Sequence, residues 1–384
     1  MIQRRFFHGS AAACASLAVL FATGCGGAKS ASNEVSEVSY VETSSDGSRD
    51  IIEPGQFDGD LDPSVIDTAN RLKSAGWASV QDTPIQVVVA SDVPTEIRRA
   101  AEDGFRAAEA RLGSFGPLKV FIIGNELGAA EPLVDEFCEW SYEPADQEYC
   151  QQDQGNDMRE MATIFPGGNG FAQHSWYIEE PTQAFVHNPY ADEENQFAGV
   201  YDPEELLNER RVSAHEYFHI YQEAHLIYRS HDPDIDQFDG VRWFNEGTAT
   251  FFEMYLSEME GWSVTDREDT INRLIEEAAN GSEQWPMVGL ADIETEAGVE
   301  RTNEVCGEPC IGHLQYNVGG LATAYLAAQT SDEAVIYDFW PASTEQGFYR
   351  AFEETFVMTV EDFYADFDQF SSLPAEEQRE FLLP

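Results

Sequence analysis

The stretch His215-Glu216-Tyr217-Phe218-His219 decides how this chain is read. It lies inside a segment, 204–227, whose apolar residues recur at helical spacing. On a helix, residues four apart share one face, so both imidazoles can reach a single metal at about 2.0–2.1 Å. Glu216 then projects beside a water on that metal, where a carboxylate can take a proton. With 8 His and 44 Glu in 384 residues, the pattern is expected by chance about 0.02 times in such a chain. A pair of surface histidines on a helix is the bland alternative, and one motif alone does not remove it.

The second motif is Trp243-Phe244-Asn245-Glu246-Gly247-Thr248-Ala249, which runs on into Phe251-Phe252-Glu253. Together the two stretches resemble the gluzincin metallopeptidases, the group that contains thermolysin and the aminopeptidase N family. The resemblance implies Zn2+ as cofactor, with Glu246 as third ligand beside His215 and His219, and Glu216 as general base. It implies that Glu253, seven residues past Glu246, steadies a histidine ligand; a solvated helix acid is the alternative. The 26 residues between His219 and Glu246 exceed the separation in the best-known gluzincins. The excess falls in the polar stretch 225–240 and points to a distant branch of the group.

His225 is a competing third ligand, because 215–225 also fits the metzincin frame except at Gln222. That frame has a glycine there, which lets the chain leave the helix with φ > 0. Gln222 instead continues the helix and carries His225 about 9 Å along the axis from His219. Glu246 is therefore preferred. Farther on, His313-Leu314-Gln315-Tyr316-Asn317-Val318-Gly319 leads into an apolar helix. Its Tyr-x-x-Gly spacing is similar to the stretch of the aminopeptidase N family that supplies a tyrosine to the oxyanion. The resemblance implies Tyr316 as that donor, with His313 as the alternative and a plain core tyrosine as the bland reading. The segment 351–363 looks like the terminal helix pair of many gluzincins.

Nearer the N-terminus, 62–75 has helical apolar spacing with Asp62 as cap and Pro63 after it. Ile85–Ala90 and Leu118–Ile123 are runs rich in β-branched and apolar residues, interrupted only at Gln86 and Lys119, that predict buried strands, with a helix over 94–112 between them. Short strands are expected at Met161–Phe165 and Gln183–His187. Past Pro203 the pattern turns helical, at 204–227, 242–259, 267–280, 314–329, 346–357 and 360–370. Strands first and helices afterwards predict an α+β architecture. The resemblance makes it zincin-like, with a sheet lobe over 61–203, a helical lobe over 204–384 and the site between them.

The chain carries 71 acidic against 21 basic residues, a formal net charge of −50. Such a field excludes a nucleic-acid partner and a polybasic membrane surface. Residues 1–24 read as an export signal, with Arg4 and Arg5 before an apolar run from Gly9 to Ala22. Ala22-Thr23-Gly24-Cys25 resembles a lipobox, which implies lipid attachment at Cys25. Residues 25–60, serine-rich and poor in large apolar side chains, read as a flexible tether. Export implies an oxidising compartment, so Cys138, Cys150, Cys306 and Cys310 are disulfide candidates. Of three pairings, Cys138–Cys150 and Cys306–Cys310 need the least reorganisation; a four-cysteine zinc site is the rival, without two-residue spacing in either pair. Asp232, Asp234, Asp236 and Asp239 fail the EF-hand frame at Gln237 and Trp243 and read as a solvated loop.

The expectation is a zinc metallopeptidase exported to the cell envelope, acting on a peptide or protein substrate and meeting the membrane only through its lipid anchor. A non-catalytic lipoprotein that captures a peptide or partner on the same scaffold is the alternative.

Overall fold

One inner strand of the sheet sends apolar side chains into a core on each of its faces. The computed structural model describes residues 63–163, 169–174, 183–189, 203–228, 241–262 and 267–383. The signal, the tether with Cys25, the cap Asp62 and the aspartate-rich loop 232–239 lie outside the described residues. In β2 (Leu118–Ile122), Leu118, Val120 and Ile122 enter one core, and Phe121 enters another. Such two-sided burial is what a mostly apolar run in a parallel strand signifies, and Lys119, the one polar member, pairs with Glu136. Strands β1 (Gln86–Val89) and β4 (Gln183–Asn188) flank β2 in parallel, and β3 (Asn169–His174) lies antiparallel to β4, in the order β1-β2-β4-β3. The register aligns Val88, Phe121 and Val186 across the sheet. One expectation is corrected here. As an edge strand, β1 leaves Gln86 exposed and Val87–Val89 only partly covered, with burial confined to the flanking Ile85 and Ala90.

Two helical layers enclose the sheet. On one side α2 (Thr95–Leu112) packs against α6 (Pro203–His225), where Phe105, Ala108, Ala214, Tyr217 and Phe218 share a core with β2. The two helices touch at Gly104, where a Cβ would meet the Arg210 carbonyl and sit 2.7 Å from Ser213 Cβ. On the other side lie α3 (Leu127–Ser141), α4 (Gln147–Gln152) and α5 (Gln154–Met161), with Leu133, Val134, Phe137 and Met158 against Phe121. Cys138 and Cys150 are bonded and tie α3 to α4. These three helices were not expected. Pro132 and the local Gly and Asn content argue against helix, and burial of Ala130, Leu133, Val134 and Phe137 overrides them. Met161 ends α5 and residues 162–163 form a turn, which corrects the strand expected from Met161; residues 164–165 lie outside the described residues.

After α6 the described chain is helical: α1 (Pro63–Ser74) aside, α7 (Arg242–Glu260), α8 (Arg267–Gln284), α9 (Glu296–Cys306), α10 (Glu308–Gly312), α11 (Gly319–Gln329), α12 (Phe339–Gln346), α13 (Phe348–Phe356), α14 (Val360–Ser371) and α15 (Ala375–Leu382). The architecture is therefore α+β and mostly helical. The Cys306–Cys310 bond joins α9 to α10. Two π-helical stretches interrupt the helices, His313–Val318 before α11 and Ala334–Asp338 before α12. Behind α7, Phe244 is ringed by Phe339, Trp340, Phe348, Phe352 and Phe356, all at centroid distances of 4.7–6.1 Å. Aromatic pairs of this kind anchor a helix firmly, and α7 is the helix that carries Glu246. Among the described residues no helix is long and apolar enough to cross a membrane.

Candidate metal centre

Helix α6 divides its residues by face. Ala214, Tyr217, Phe218 and Tyr221 fill the core, which leaves His215 and His219 on the face turned toward α7. On α7, Phe244 and Ala249 face the core, and Glu246 meets the two histidines. His215 Nε2 and His219 Nε2 lie 3.2 Å apart. Glu246 Oε2 is 3.4 Å from the first and 3.3 Å from the second. The three atoms thus form a nearly equilateral triangle. Tetrahedral zinc with bonds of about 2.0–2.1 Å needs ligand atoms about 3.3–3.4 Å apart, so triangle and donor set fit that ion. Among the described residues this is the group of three such side chains able to hold a metal.

The surroundings favour positive charge at that point. His215 is 8% and Glu246 5% exposed, so water screens them little. Burial works against a charged His215 ring, yet contacts with Glu246 and Glu253 and the nearby Glu216 carboxylate push its pKa up to about 10. For His219, burial again opposes the cation, and Glu246 and Glu216 raise it. Burial would raise the Glu246 carboxyl, but His219 and His215 hold it well below the usual carboxylate range. Three carboxylates thus converge on two imidazoles, an arrangement that a divalent cation balances.

The other expected residues are placed as follows. Glu216 is 6% exposed, and its carboxylate acts electrostatically on both imidazoles of the triangle. Glu253 Oε2 faces His215 Nδ1 at 3.4 Å, and its Oε1 is 3.5 Å from Arg211 Nη2. Glu253 is therefore a partly buried partner of the first histidine, its side chain 14% exposed. The Tyr316 ring lies 6.0 Å from that of His215, tilted by 38°. His313 points elsewhere, packed on Gly281 and on the Trp285 ring at 5.5 Å. His225 stays on the continuing helix. It contacts Thr344 Oγ1 through Nδ1 at 2.7 Å and packs on Phe115 and Tyr221, away from the ligand triangle. The four cysteines form the two local bonds and are not part of the metal-competent group.

No known protein family, curated protein or solved structure matches this chain.

Sequence reasoning missed several neighbours of the triangle. Gln222 contacts His219 Nδ1 through Oε1 at 2.7 Å. Arg211 stands four residues before His215, and Gln222 three after His219, so the helical period was the signal for both. A buried polar group also lies one turn back along α6. There His187 Nε2 of β4 is 2.7 Å from Glu209 Oε1, and Ser213 Oγ donates to the same oxygen at 3.1 Å. Burial opposes charge on His187, but Glu209 raises its pKa, with a further contribution from Glu216. Only the fold, by setting β4 on α6, brings this group together.

Proposed function

We propose that the chain is a zinc-dependent peptide-bond hydrolase of gluzincin type on a zincin-like scaffold. The observation that carries this reading is the ligand triangle of His215, His219 and Glu246, with Glu216 beside it and Tyr316 across from His215. Zinc held there supplies Lewis acidity to a carbonyl and acidifies the attacking water. Glu216 accepts the proton of that water and returns it to the departing amine. The Tyr316 hydroxyl donates to the carbonyl oxygen as negative charge develops on it. Glu253, backed by Arg211, takes the Nδ1 proton of His215 in a hydrogen bond and leaves Nε2 free to ligate. We further propose export through residues 1–24 and lipid attachment at Cys25, which place the domain in the envelope as a lipoprotein. These rest on the apolar run and on the Ala22–Cys25 sequence.

Glu216→Gln tests the hydrolase reading. Cleavage of a broad peptide mixture, followed by mass spectrometry, is expected to fall by about 10²–10⁴-fold with zinc content unchanged. A zinc-loaded parent that cuts no peptide in the mixture would favour the non-catalytic binding lipoprotein instead.

A further inference from the structure

The Gln222 carboxamide is 1% exposed, and the polarity of its contacts runs one way. Its Nε2 lies 2.8 Å from the Asn245 carbonyl oxygen and 2.9 Å from Thr248 Oγ1. A carbonyl can only accept. Thr248 donates its single proton to the Phe244 carbonyl at 2.6 Å, so toward Gln222 its oxygen accepts as well. Both acceptors are met by the amide N–H groups, which leaves Oε1 as the acceptor facing His219 Nδ1 at 2.7 Å. Nδ1 must therefore carry the proton. In the neutral ring the lone pair then sits on Nε2, the atom that faces His215 Nε2 and Glu246 Oε2.

We propose that Gln222 is the positioning residue of the metal centre. It fixes the tautomer and ring plane of His219, and it anchors that ring to α7, the helix that supplies Glu246. The inference rests on the metal-centre reading and deepens it. The two imidazoles are then held by unlike partners. Glu253 offers a carboxylate to His215, and Gln222 offers a neutral amide to His219. A carboxylate at 222 would lack the two N–H donors that Asn245 and Thr248 require. A plain structural bridge between α6 and α7 makes a different demand, since it needs those donors and is indifferent to the acceptor.

The test uses the full chain with Gln222→Met, Gln222→Glu and Thr248→Val. Zinc affinity is measured by chelator competition, and the ligand field by the visible absorption of the cobalt-loaded protein. Gln222→Met, whose thioether is only a weak acceptor toward Nδ1, is expected to lose about 10- to 100-fold in zinc affinity and to shift the cobalt bands. Gln222→Glu keeps an acceptor and is expected to hold zinc within a few-fold of the parent even where its thermal stability falls. Thr248→Val loosens one anchor and is expected to fall between the parent and Gln222→Met; it decides the matter if the methionine variant does not fold. Parental zinc affinity and cobalt bands in Gln222→Met overturn the proposal, as does equal zinc loss in the methionine and glutamate variants. A parent that binds neither ion overturns the metal reading instead. In that case ¹⁵N shifts of the His219 ring in the neutral, alkaline form still decide the tautomer, and a proton on Nε2 overturns the part given to Gln222.

Discussion

Gly247→Ala probes the coupling between the helix packing and the metal centre. Helices α7 and α11 cross with Gly247 against Gly319. A Cβ at 247 would lie 2.5 Å from the Gly319 carbonyl carbon and 2.8 Å from Thr323 Oγ1. Ordinary contact needs about 3.4 Å or more, so one helix must retreat by roughly 1 Å. The obstacle is backbone and cannot rotate away. Overpacking of this kind costs about 1–3 kcal/mol, against which alanine returns up to about 1 kcal/mol of helix propensity. The expected net loss is about 0–3 kcal/mol, or up to roughly 5 °C in Tm for a domain of this size. Nothing offsets the second effect. Glu246 precedes Gly247, and a displacement near 1 Å spoils a triangle whose edges are 3.2–3.4 Å. Zinc affinity is expected to fall by about 10- to 100-fold. Circular dichroism melts in chelator and in zinc, with competition titrations, measure the two effects separately. Gly128→Ala is the control, since a Cβ there meets nothing within 4 Å. A Gly247→Ala variant with parental Tm and parental zinc affinity would refute the reasoning.

Other perturbations separate catalysis from stability. Tyr316→Phe removes the hydroxyl and leaves the ring beside His215; kcat is expected to fall by about 10²–10³-fold with KM and zinc affinity near parental values, whereas unchanged kcat would return Tyr316 to the role of a core tyrosine. Burial pushes the His225 imidazole from its ordinary 6.5 down to about 4, so between those values the unfolded chain binds a proton that the folded chain does not. That contribution to stability is complete above pH 6.5. It declines as pH falls, at about 1.4 kcal/mol per unit, and levels off near pH 4 after a loss of about 3 kcal/mol. Denaturant melts of His225→Gln should show a shallower decline across that window; equal slopes in parent and variant would exclude His225 as the source. The depressed Glu246 and Glu253 carboxyls also lose stability in acid, but they do so in both proteins and cancel in the comparison.

The candidate ligands were legible because α6 and α7 are regular. In a regular helix, spacing of four fixes which side chains share a face, and the uninterrupted run through Gln222 accounts for His225 lying away from the triangle. The choice between Tyr316 and His313 was not legible for the converse reason. Both sit in a π-helical stretch, where i→i+5 bonding opens the turn and residues three apart part company. Tyr316 turns to His215, while His313 packs on Gly281. The β-α-β start was legible from its apolar runs, but strand order was not, so β1 emerged as an edge strand. Helices α3 to α5 were hidden by Pro132 and by polar composition, and their helicity depends on long-range burial against Phe121. The partnership of Gln222 with His219 is local in sequence. Its link to Asn245 and Thr248 required the packing of two helices.

The most direct test of the metal centre is zinc per chain, by elemental analysis, in the parent and in Glu246→Ala. The account predicts about one zinc in the parent, and in the variant a weakened ion that a mild chelator strips away. Zinc held undiminished after loss of Glu246, or a parent that takes up none under any reconstitution, would contradict it.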